Sequence, residues 1–287
     1  LAFAGSVTTH TGTVEITDSN TTDITATDIT TINGTNTGTI TVTNTIDLNG
    51  SGSEVAAAIT AIDTNTGNAT ANVTGNDYTA AQLKTINDGT SGAIVLANAG
   101  VNLSGSAAVL EAAFAGTVTT HTGTVTISDG PSVAELKAIN AATTGAITLS
   151  TANGALSGSV ADLKAALAGS ITTHTGTVTI SDANTTNITA TDITTINTAA
   201  TGTITATNAI DLNGSGSEVA AAVTAIDTHS AATTANVTGT DYTAAQLKTI
   251  NDGISGAIVL VDASVALSGT VAVLKAALAG TVTTHTG

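Results

Sequence analysis

The chain repeats itself over long stretches, and this repetition constrains its fold more than any other feature. The segment IDLNGSGSEVAAA at residues 46–58 recurs at 210–222, and DYTAAQLKTINDG at 77–89 recurs at 241–253. The two shifts are equal, so residues 165–287 repeat residues 1–123, with a shorter variant of the same material between them. Such repeats are expected to stack on one another rather than to form an ordinary globular domain.

A shorter unit recurs inside the long repeat. Ten strand-like stretches align on an apolar residue, and the residue two positions later is apolar or Gly while the one between is usually Thr, which is typical of a strand with one buried face. A glycine two residues before most of these positions is attributed to a turn with positive φ. The aligned residues are Val14, Ile40, Val73, Ile94, Val125, Ile147, Val178, Ile204, Val237 and Ile258.

A helix signature follows each strand-like stretch. Ser or Thr is followed three residues later, in most units, by Asp, Glu or Gln, as in Thr25–Asp28, Ser51–Glu54 and Thr189–Asp192, and apolar residues then recur at helical spacing. This pattern is the capping box, in which the two side chains bond the free N–H groups of the first helical turn. Each unit is therefore predicted to be a short strand, a turn and a short Ala-rich helix.

Strand–helix–strand connections of this length require parallel strands. The ten units predict a repeat solenoid with one parallel β-strand and one short helix per coil, a β/α solenoid of about ten coils that runs as a single continuous structure through residues 1–287. A doubly wound α/β domain is a weaker alternative, because no GxGxxG or GxxxxGK motif is present. A plain right-handed parallel β-helix is another, because stretches such as NITATDITTIN suit a strand as well as a helix.

A column of Asp and Asn stands four residues after the aligned apolar residue in nine of the ten units. Because charged and neutral members mostly alternate, we interpret the column as a structural ladder in which Asn amides donate hydrogen bonds to neighbouring carboxylates. The consecutive pair Asp241 and Asp262 is a weak candidate for a cation site, and calcium is the ion that suits such ligands. The column consists of Asp18, Asn44, Asp77, Asn98, Asp129, Asp182, Asn208, Asp241 and Asp262.

The segment TTHTGTVTISD, at 119–129 and 172–182, contains the residue types of a hydrolytic triad. In a mostly extended chain, His121 and Asp129 are expected to lie about 20–25 Å apart, so one unit cannot close a triad. The four histidines of this motif belong to units that are not adjacent and are not expected to share a metal ion. We therefore predict surface turn residues and no catalytic residues. These histidines are His10, His121, His174 and His285.

The composition disfavours several functions. The chain carries 21 acidic residues against five lysines, a net charge of −16, which repels nucleic acid and anionic lipid, so neither nucleic-acid binding nor direct membrane insertion is expected. Without cysteine there is no thiol chemistry. Only Phe3, Tyr78, Phe114 and Tyr242 are available as aromatic contacts for a glycan. The outward Thr rows are attributed to β-propensity, with an ice-binding face as a remote alternative.

The motifs SGSVADLKAALAG and TVTISD, in an acidic array rich in Thr, Ala and Gly, resemble the repeats of very large bacterial cell-surface and secreted proteins, notably those of cyanobacteria. The resemblance implies a non-enzymatic extracellular structural protein, without cofactors, that forms a filament, sheath or surface layer. An adhesin stalk or module that binds calcium or glycan is the alternative. The expected partner is the protein itself, as a homopolymer or as the continuation of the same array. Because Gly287 is the equivalent of Gly12, we expect the chain to be a segment of a longer array.

Overall fold

The structure is a computed structural model that describes residues 9–229 and 232–287. Within these ranges, ten short helices alternate with the strands of parallel sheets, and no strand pairing closes a barrel. The helices are α1 (Ala26–Thr35), α2 (Gly52–Ala61), α3 (Ala80–Gly89), α4 (Ala107–Phe114), α5 (Val133–Ala142), α6 (Val160–Ala166), α7 (Ala190–Ala199), α8 (Gly216–Ala225), α9 (Ala244–Gly253) and α10 (Val271–Ala277).

The strands are short, with two to four residues in each. They are β1 (Val14–Ile16), β2 (Asp23–Thr25), β3 (Ile40–Val42), β4 (Asp47–Gly50), β5 (Thr64–Asn65), β6 (Thr70–Val73), β7 (Ile94–Leu96), β8 (Leu103–Gly105), β9 (Val125–Ile127), β10 (Ile147–Leu149), β11 (Leu156–Gly158), β12 (Val178–Ile180), β13 (Asn187–Thr189), β14 (Ile204–Ala206), β15 (Asp211–Gly214), β16 (Thr228–His229), β17 (Thr234–Val237) and β18 (Ile258–Leu260).

The contacts divide the chain into two compact units. One contains Leu1–Pro131 and Ala138–Ser150, and the other contains Ser132–Lys137 and Thr151–Gly287. The first holds sheets in the orders β1-β3-β5, β2-β4-β6-β7 and β8-β9-β10. The second holds sheets in the orders β11-β12-β14-β16 and β13-β15-β17-β18. All of these strand pairs are parallel, as the strand–helix–strand pattern predicts.

Successive repeats align their strands in register. Val14 pairs with Ile40, the aligned apolar residue of the next repeat, and Val125 pairs with Ile147 in the same way. The apolar residues of one strand therefore stack on those of the next, and their side chains form a core of Val, Ile, Leu and Ala. Burial of one such aliphatic side chain contributes about 1.5–3 kcal/mol, so the core can be stable with very few aromatic residues.

Most repeats contain two strands rather than the single strand that the sequence predicts. In six of these eight repeats the second strand lies directly before the helix, as β4 does before α2, whereas β6 and β17 are separated from α3 and α9 by six residues. In β6 and β17 the predicted alignment is wrong by two positions, because Ala71 pairs with Ile94 whereas Val73 pairs with Leu96. The repeat at Ala235 and Val237 has the same register. Alanine is a weak signal for a strand, so the sequence pattern did not identify Ala71 and Ala235 as the residues that pair.

The alternative of a plain β-helix is wrong for this chain, because helices occupy the Thr-rich stretches. In NITATDITTIN, residues Asn187–Thr189 form a strand and the helix begins at Ala190. The threonines of this helix bond back to its own carbonyl groups, as Thr195 Oγ1 does to Thr191 O at 2.8 Å. The stretch thus contains the whole of strand β13 and most of helix α7.

Most predicted helix caps are present. Complete capping boxes occur at Ser51–Glu54, Thr79–Gln82, Ser215–Glu218 and Thr243–Gln246. Thr25 and Thr189 make no side-chain cap bond. Each of these two residues is the last residue of a paired strand, and its ψ of 126° or 123° differs from the 163° of Ser51. The strand pairing fixes the hydroxyl away from the helix N–H groups.

The glycines before the strands serve a different purpose from the predicted one. Positive φ among the described glycines occurs at Gly116, Gly169 and Gly280, none of which precedes a strand. A Cβ on Gly145 would instead overlap the main-chain oxygen of Gly123 in the neighbouring repeat, and Gly202 has the same relation to Gly176. Glycine is therefore required because successive backbones approach closely at this turn.

No helix among the described residues is long and apolar enough to span a lipid bilayer.

Candidate functional site

The histidine turns lie between neighbouring repeats. His121 is fully buried, and His174 is 2% exposed, so the prediction that these are surface turn residues is wrong for both. His10 is exposed and His285 is half-buried. The main chain of the turn pairs with the following repeat, as the isolated bridges from His121 to Thr143 and from His174 to Ala200 show.

His121 connects three repeats. Its Nε2 lies 2.7 Å from the main-chain oxygen of Val101 in the preceding repeat, and its Nδ1 lies 3.2 Å from Thr143 Oγ1 in the following repeat. The ring of Phe114 packs against it with the two centroids 5.3 Å apart. The imidazole is thus held by packing and by hydrogen bonds in both stacking directions.

Burial lowers the pKa of His121, His174 and His229 below the usual value near 6.5. Desolvation of the charged ring is the main cause, and neighbouring main-chain groups partly offset it. For His174 the main chain of Thr177 and Gly154 lies beside the ring, although neither ring nitrogen makes a hydrogen bond of good geometry. Neutral imidazoles that are packed in this way contribute to the core.

The polar residues of TTHTGTVTISD do not converge. His121 bonds to Val101 and Thr143, whereas the Asp129 carboxylate accepts a hydrogen bond of 2.8 Å from the N–H of Ala107. Ala107 is the first residue of helix α4 in the preceding repeat. The acid and the imidazole therefore make separate contacts between repeats.

Asp182 has the same role as Asp129. Its carboxylate accepts a hydrogen bond of 2.8 Å from the N–H of Val160, the first residue of α6. A carboxylate at a helix N-terminus is favoured by the helix dipole and satisfies a free N–H group. Sequence reasoning placed these aspartates in a column but did not show that they cap the helix of the neighbouring repeat, because their partners are distant in the chain.

The asparagines of the column bond in other ways. Asn44 donates from Nδ2 to the main-chain oxygen of Asp18 at 2.7 Å, and Asn208 donates to that of Asp182 at 2.7 Å. The acceptor is thus the aspartate's carbonyl group instead of the predicted carboxylate. Asn98 donates to Asn76 Oδ1 at 2.9 Å, and its own Oδ1 accepts from the N–H of Gly100.

Asp77 and Asp241 are exposed and lie before helices α3 and α9. Asp262 accepts hydrogen bonds from the main-chain N–H and the hydroxyl of Ser264, at 2.9 and 2.6 Å, and these bonds lower its pKa. Its main-chain oxygen accepts from the Tyr242 hydroxyl at 2.5 Å. Desolvation, together with the charge of Asp262, raises the pKa of Tyr242. Asp262 is therefore stabilised as an anion by its own turn.

Within residues 9–229 and 232–287, no three His, Asp or Glu side chains cluster closely enough to hold a metal ion.

Hydrogen bonds between repeats are also made at the C-terminal ends of helices α4 and α10. Asn87, on α3, donates to the main-chain oxygens of Ala112 and Ala115 at 2.7 Å each. These carbonyl groups belong to the last turn of α4 and the residue after it. Asn251 makes the equivalent bonds to Ala276 and Ala279. No sequence motif signalled this contact, because an Asn in a helix is usually a solvent-exposed residue.

The Thr rows are short. Thr126 pairs with Thr148, and Thr179 pairs with Thr205, which in turn pairs with Thr228. Val95 and Val259 are exposed in the corresponding strands β7 and β18. Each row therefore extends over only a few strands of one sheet, and it matches the β-propensity interpretation more closely than a continuous flat array.

No known protein family, curated protein or solved structure matches this chain.

Proposed function

We propose that this chain is a non-enzymatic extracellular structural protein whose repeats build a filament, a sheath or a surface layer. The observation that carries the proposal is the use of its polar side chains. His121, Asp129, Asp182 and Asn87, which have the residue types of active sites or ligand sites, bond to the repeat before or after their own. In an active site or ligand site such groups must face the substrate or ligand, whereas in a structural repeat protein they hold neighbouring repeats together.

The proposal includes a β/α solenoid of about ten coils, each contributing one of the helices α1 to α10. In-register pairing between strands of successive repeats supports it. So do the salt bridges between helices of successive repeats, Lys137 to Asp162 at 2.6 Å and Lys164 to Asp192 at 2.5 Å. Each contact leads from one coil to the next, as in other quasi-one-dimensional proteins.

The adhesin alternative receives less support. Tyr78 and Tyr242 are buried, and so is Phe114, so their rings cannot stack on a sugar. Phe3 lies outside the described residues. The two tyrosine hydroxyls bond to the main chain of Asn98 and Asp262 in the following repeat, which is again a stacking role.

Electron microscopy of native material, combined with immunogold labelling of intact producing cells, tests the proposal. We expect gold particles outside the cell envelope, on fibres or on a continuous layer. Label confined to the cytoplasm, or isolated particles without any ordered assembly, would count against a structural extracellular role.

A further inference from the structure

The chain contains four Asn-Gly pairs, and this dipeptide is chemically labile. The nitrogen of the residue that follows an asparagine can attack the carbonyl carbon of the asparagine side chain, and glycine, which has no Cβ, hinders that attack least. Asparagine is among the thermolabile residues of proteins. The four pairs are Asn33–Gly34, Asn49–Gly50, Asn153–Gly154 and Asn213–Gly214.

Regular secondary structure protects three of the four pairs. The succinimide ring that the attack forms requires a main-chain ψ angle at the asparagine that neither an α-helix nor a β-strand adopts. Asn33 lies in α1, and Asn49 and Asn213 lie in the paired strands β4 and β15. The amide of Asn49 also donates to Asp23 Oδ1 at 3.0 Å, and that of Asn213 donates to Asn187 Oδ1 at 3.2 Å. Attack at these three asparagines therefore requires local unfolding.

Asn153 lies outside these constraints. It is exposed in the turn at residues 152–154 that precedes β11. Among the described residues, neither its side-chain amide nor the N–H of Gly154 has a hydrogen-bond partner, so neither group must give up a hydrogen bond before the attack. A Cβ built on Gly154 would meet no atom within 4 Å, so the peptide is open on that side.

We propose that Asn153 is a site of spontaneous deamidation. The Gly154 nitrogen attacks Asn153 Cγ and forms a C–N bond, and its proton passes through solvent to Nδ2. The bond between Cγ and Nδ2 then breaks, and ammonia leaves. Water opens the resulting succinimide at either carbonyl carbon and gives aspartate or isoaspartate. The reaction needs no enzyme or cofactor, so it does not depend on the proposed structural role.

The modified peptide belongs to a close contact between repeats. The main-chain oxygen of Ala152 accepts hydrogen bonds from the N–H groups of Thr175 and Gly176, at 2.8 and 3.2 Å. A Cβ on Gly176 would lie only 2.5 Å from the main-chain oxygen of Asn153. Isoaspartate adds a methylene group to the main chain at residue 153, where the two backbones already touch. We therefore expect the product to weaken the packing of this turn on the next repeat.

Other repeats of the chain supply a matched control variant. In the segments that end in Leu-Ser-Gly, Val101 and Val265 occupy the position of Gly154. Both valines follow an equivalent turn, so the fold accepts a valine at this position. A β-branched side chain crowds the neighbouring main-chain nitrogen. Gly154→Val therefore keeps Asn153 and removes only the unhindered nucleophile.

Peptide mapping by mass spectrometry tests the site. The purified full chain is incubated for weeks in mildly alkaline buffer, and the gain of about 1 Da that marks conversion of an amide to a carboxylate is located in the map. We expect Asn153 to react at least about tenfold faster than the asparagines of the other three pairs, a difference of about 1.4 kcal/mol in activation free energy. Aspartate and isoaspartate should both appear at residue 153, and Gly154→Val should retain the Asn153 amide.

The unfolded chain provides the reference rate. In concentrated urea the four pairs are equally accessible, so we expect them to deamidate at similar rates. Selectivity for Asn153 that is present in the folded chain and lost in urea supports the proposal. An Asn153 amide that persists in the folded chain, or equal rates at all four asparagines of the folded chain, overturns it.

Urea denaturation of the aged protein measures the effect on packing. The midpoint of the aged wild type should be lower than that of fresh protein, whereas aged Gly154→Val should retain its midpoint. An unchanged midpoint in deamidated wild type would contradict the expected weakening of the turn. None of these results would alter the position of immunogold label on cells, so the modification site and the structural role are tested separately.

Discussion

His121 lies against Phe114 and bonds to the main chain of Val101 and the hydroxyl of Thr143. Its ring can donate one hydrogen bond and accept another only when it is neutral. Protonation would place a charge in a fully buried position. The residue therefore makes the packing between repeats sensitive to acid.

We expect the free energy of unfolding to fall as the pH decreases from 7 towards 5.5. Burial lowers the pKa of His121 and His174 in the folded chain, so below pH 6.5 the unfolded chain binds protons that the folded chain does not. Stability is then lost as the pH falls, by up to about 1.4 kcal/mol per pH unit for each histidine. Urea titrations at several pH values measure this slope.

The carboxylates affect the free energy of unfolding at a lower pH than the histidines do. Hydrogen bonds from Ser51 and Ser215 lower the pKa of Glu54 and Glu218 from an ordinary value of 4.5, so their contribution to stability is present above that pH and lost below it.

Replacing His121 and His174 with Gln should reduce the slope of the unfolding free energy between pH 7 and 5.5. An unchanged slope in this double variant would show that the two imidazoles do not become protonated on unfolding.

Gly145 lies in the turn where successive backbones approach closely, and no Cβ atom fits there. We expect Gly145→Ala to destabilise the protein by about 1–3 kcal/mol, because the added methyl group would overlap the Gly123 carbonyl oxygen. Gly34→Ala is the matched control, because Gly34 lies in α1 with open space around its Cα, and alanine there should stabilise by up to about 1 kcal/mol. Thermal unfolding of both variants checks the pair, and equal effects would contradict the steric explanation.

The helices are short, and isolated helices of seven to ten residues are unstable in water. Contacts with neighbouring repeats stabilise them at both ends. Asp129 and Asp182 bond to first-turn N–H groups of α4 and α6, and Asn87 bonds to carbonyl groups at the end of α4. Helix formation is therefore coupled to the stacking of repeats.

Removing a capping box should cost more than removing a threonine that makes no cap bond. Ser51→Ala deletes the acceptor for the Glu54 N–H and a partner of the Glu54 carboxylate, so we expect a loss of about 0.5–2 kcal/mol. Thr25 occupies the same position before α1 without a cap bond, so Thr25→Ala should cost only a few tenths of a kcal/mol, roughly. Chemical denaturation of the two variants gives both values, and a Thr25→Ala cost equal to that of Ser51→Ala would refute the assignment.

The sequence predicted helices and parallel strands because capping residues and two-residue alternation are local signals. It did not predict that strands change position relative to their helices. In the sheet β2-β4-β6-β7, strands begin at Asp23, Asp47, Thr70 and Ile94, while the next helices begin at Ala26, Gly52, Ala80 and Ala107. The strand spacing is shorter than the helix spacing, so the linker lengthens until the sheet ends. This drift caused the wrong alignment at Val73.

The candidate site was predictable only in part. Residue positions in the Asx column and in the histidine turns follow from the repeat, but their partners lie in the neighbouring repeat, far along the chain. Whether His121 is buried depends on how tightly Gly123 and Gly145 allow the turns to approach, and no local pattern records that distance. The burial of His121 is therefore determined by packing between repeats and not by the local sequence.

At the scale of the whole molecule, we expect calcium to have little effect on stability. Asp129, Asp182 and Asp262 already accept hydrogen bonds from N–H groups, which leaves their carboxylates partly occupied. Thermal unfolding with millimolar calcium or with a chelator should give midpoints within about 1 °C of each other. A calcium-dependent rise of several degrees would favour the calcium-binding adhesin.

Cryo-electron microscopy of the native assembly tests the central claim most directly, because it resolves whether repeats stack from one copy or one segment to the next. The account predicts an uninterrupted stack of repeats with strands about 4.8 Å apart. Discrete particles that contain no continuous stack of repeats would contradict it.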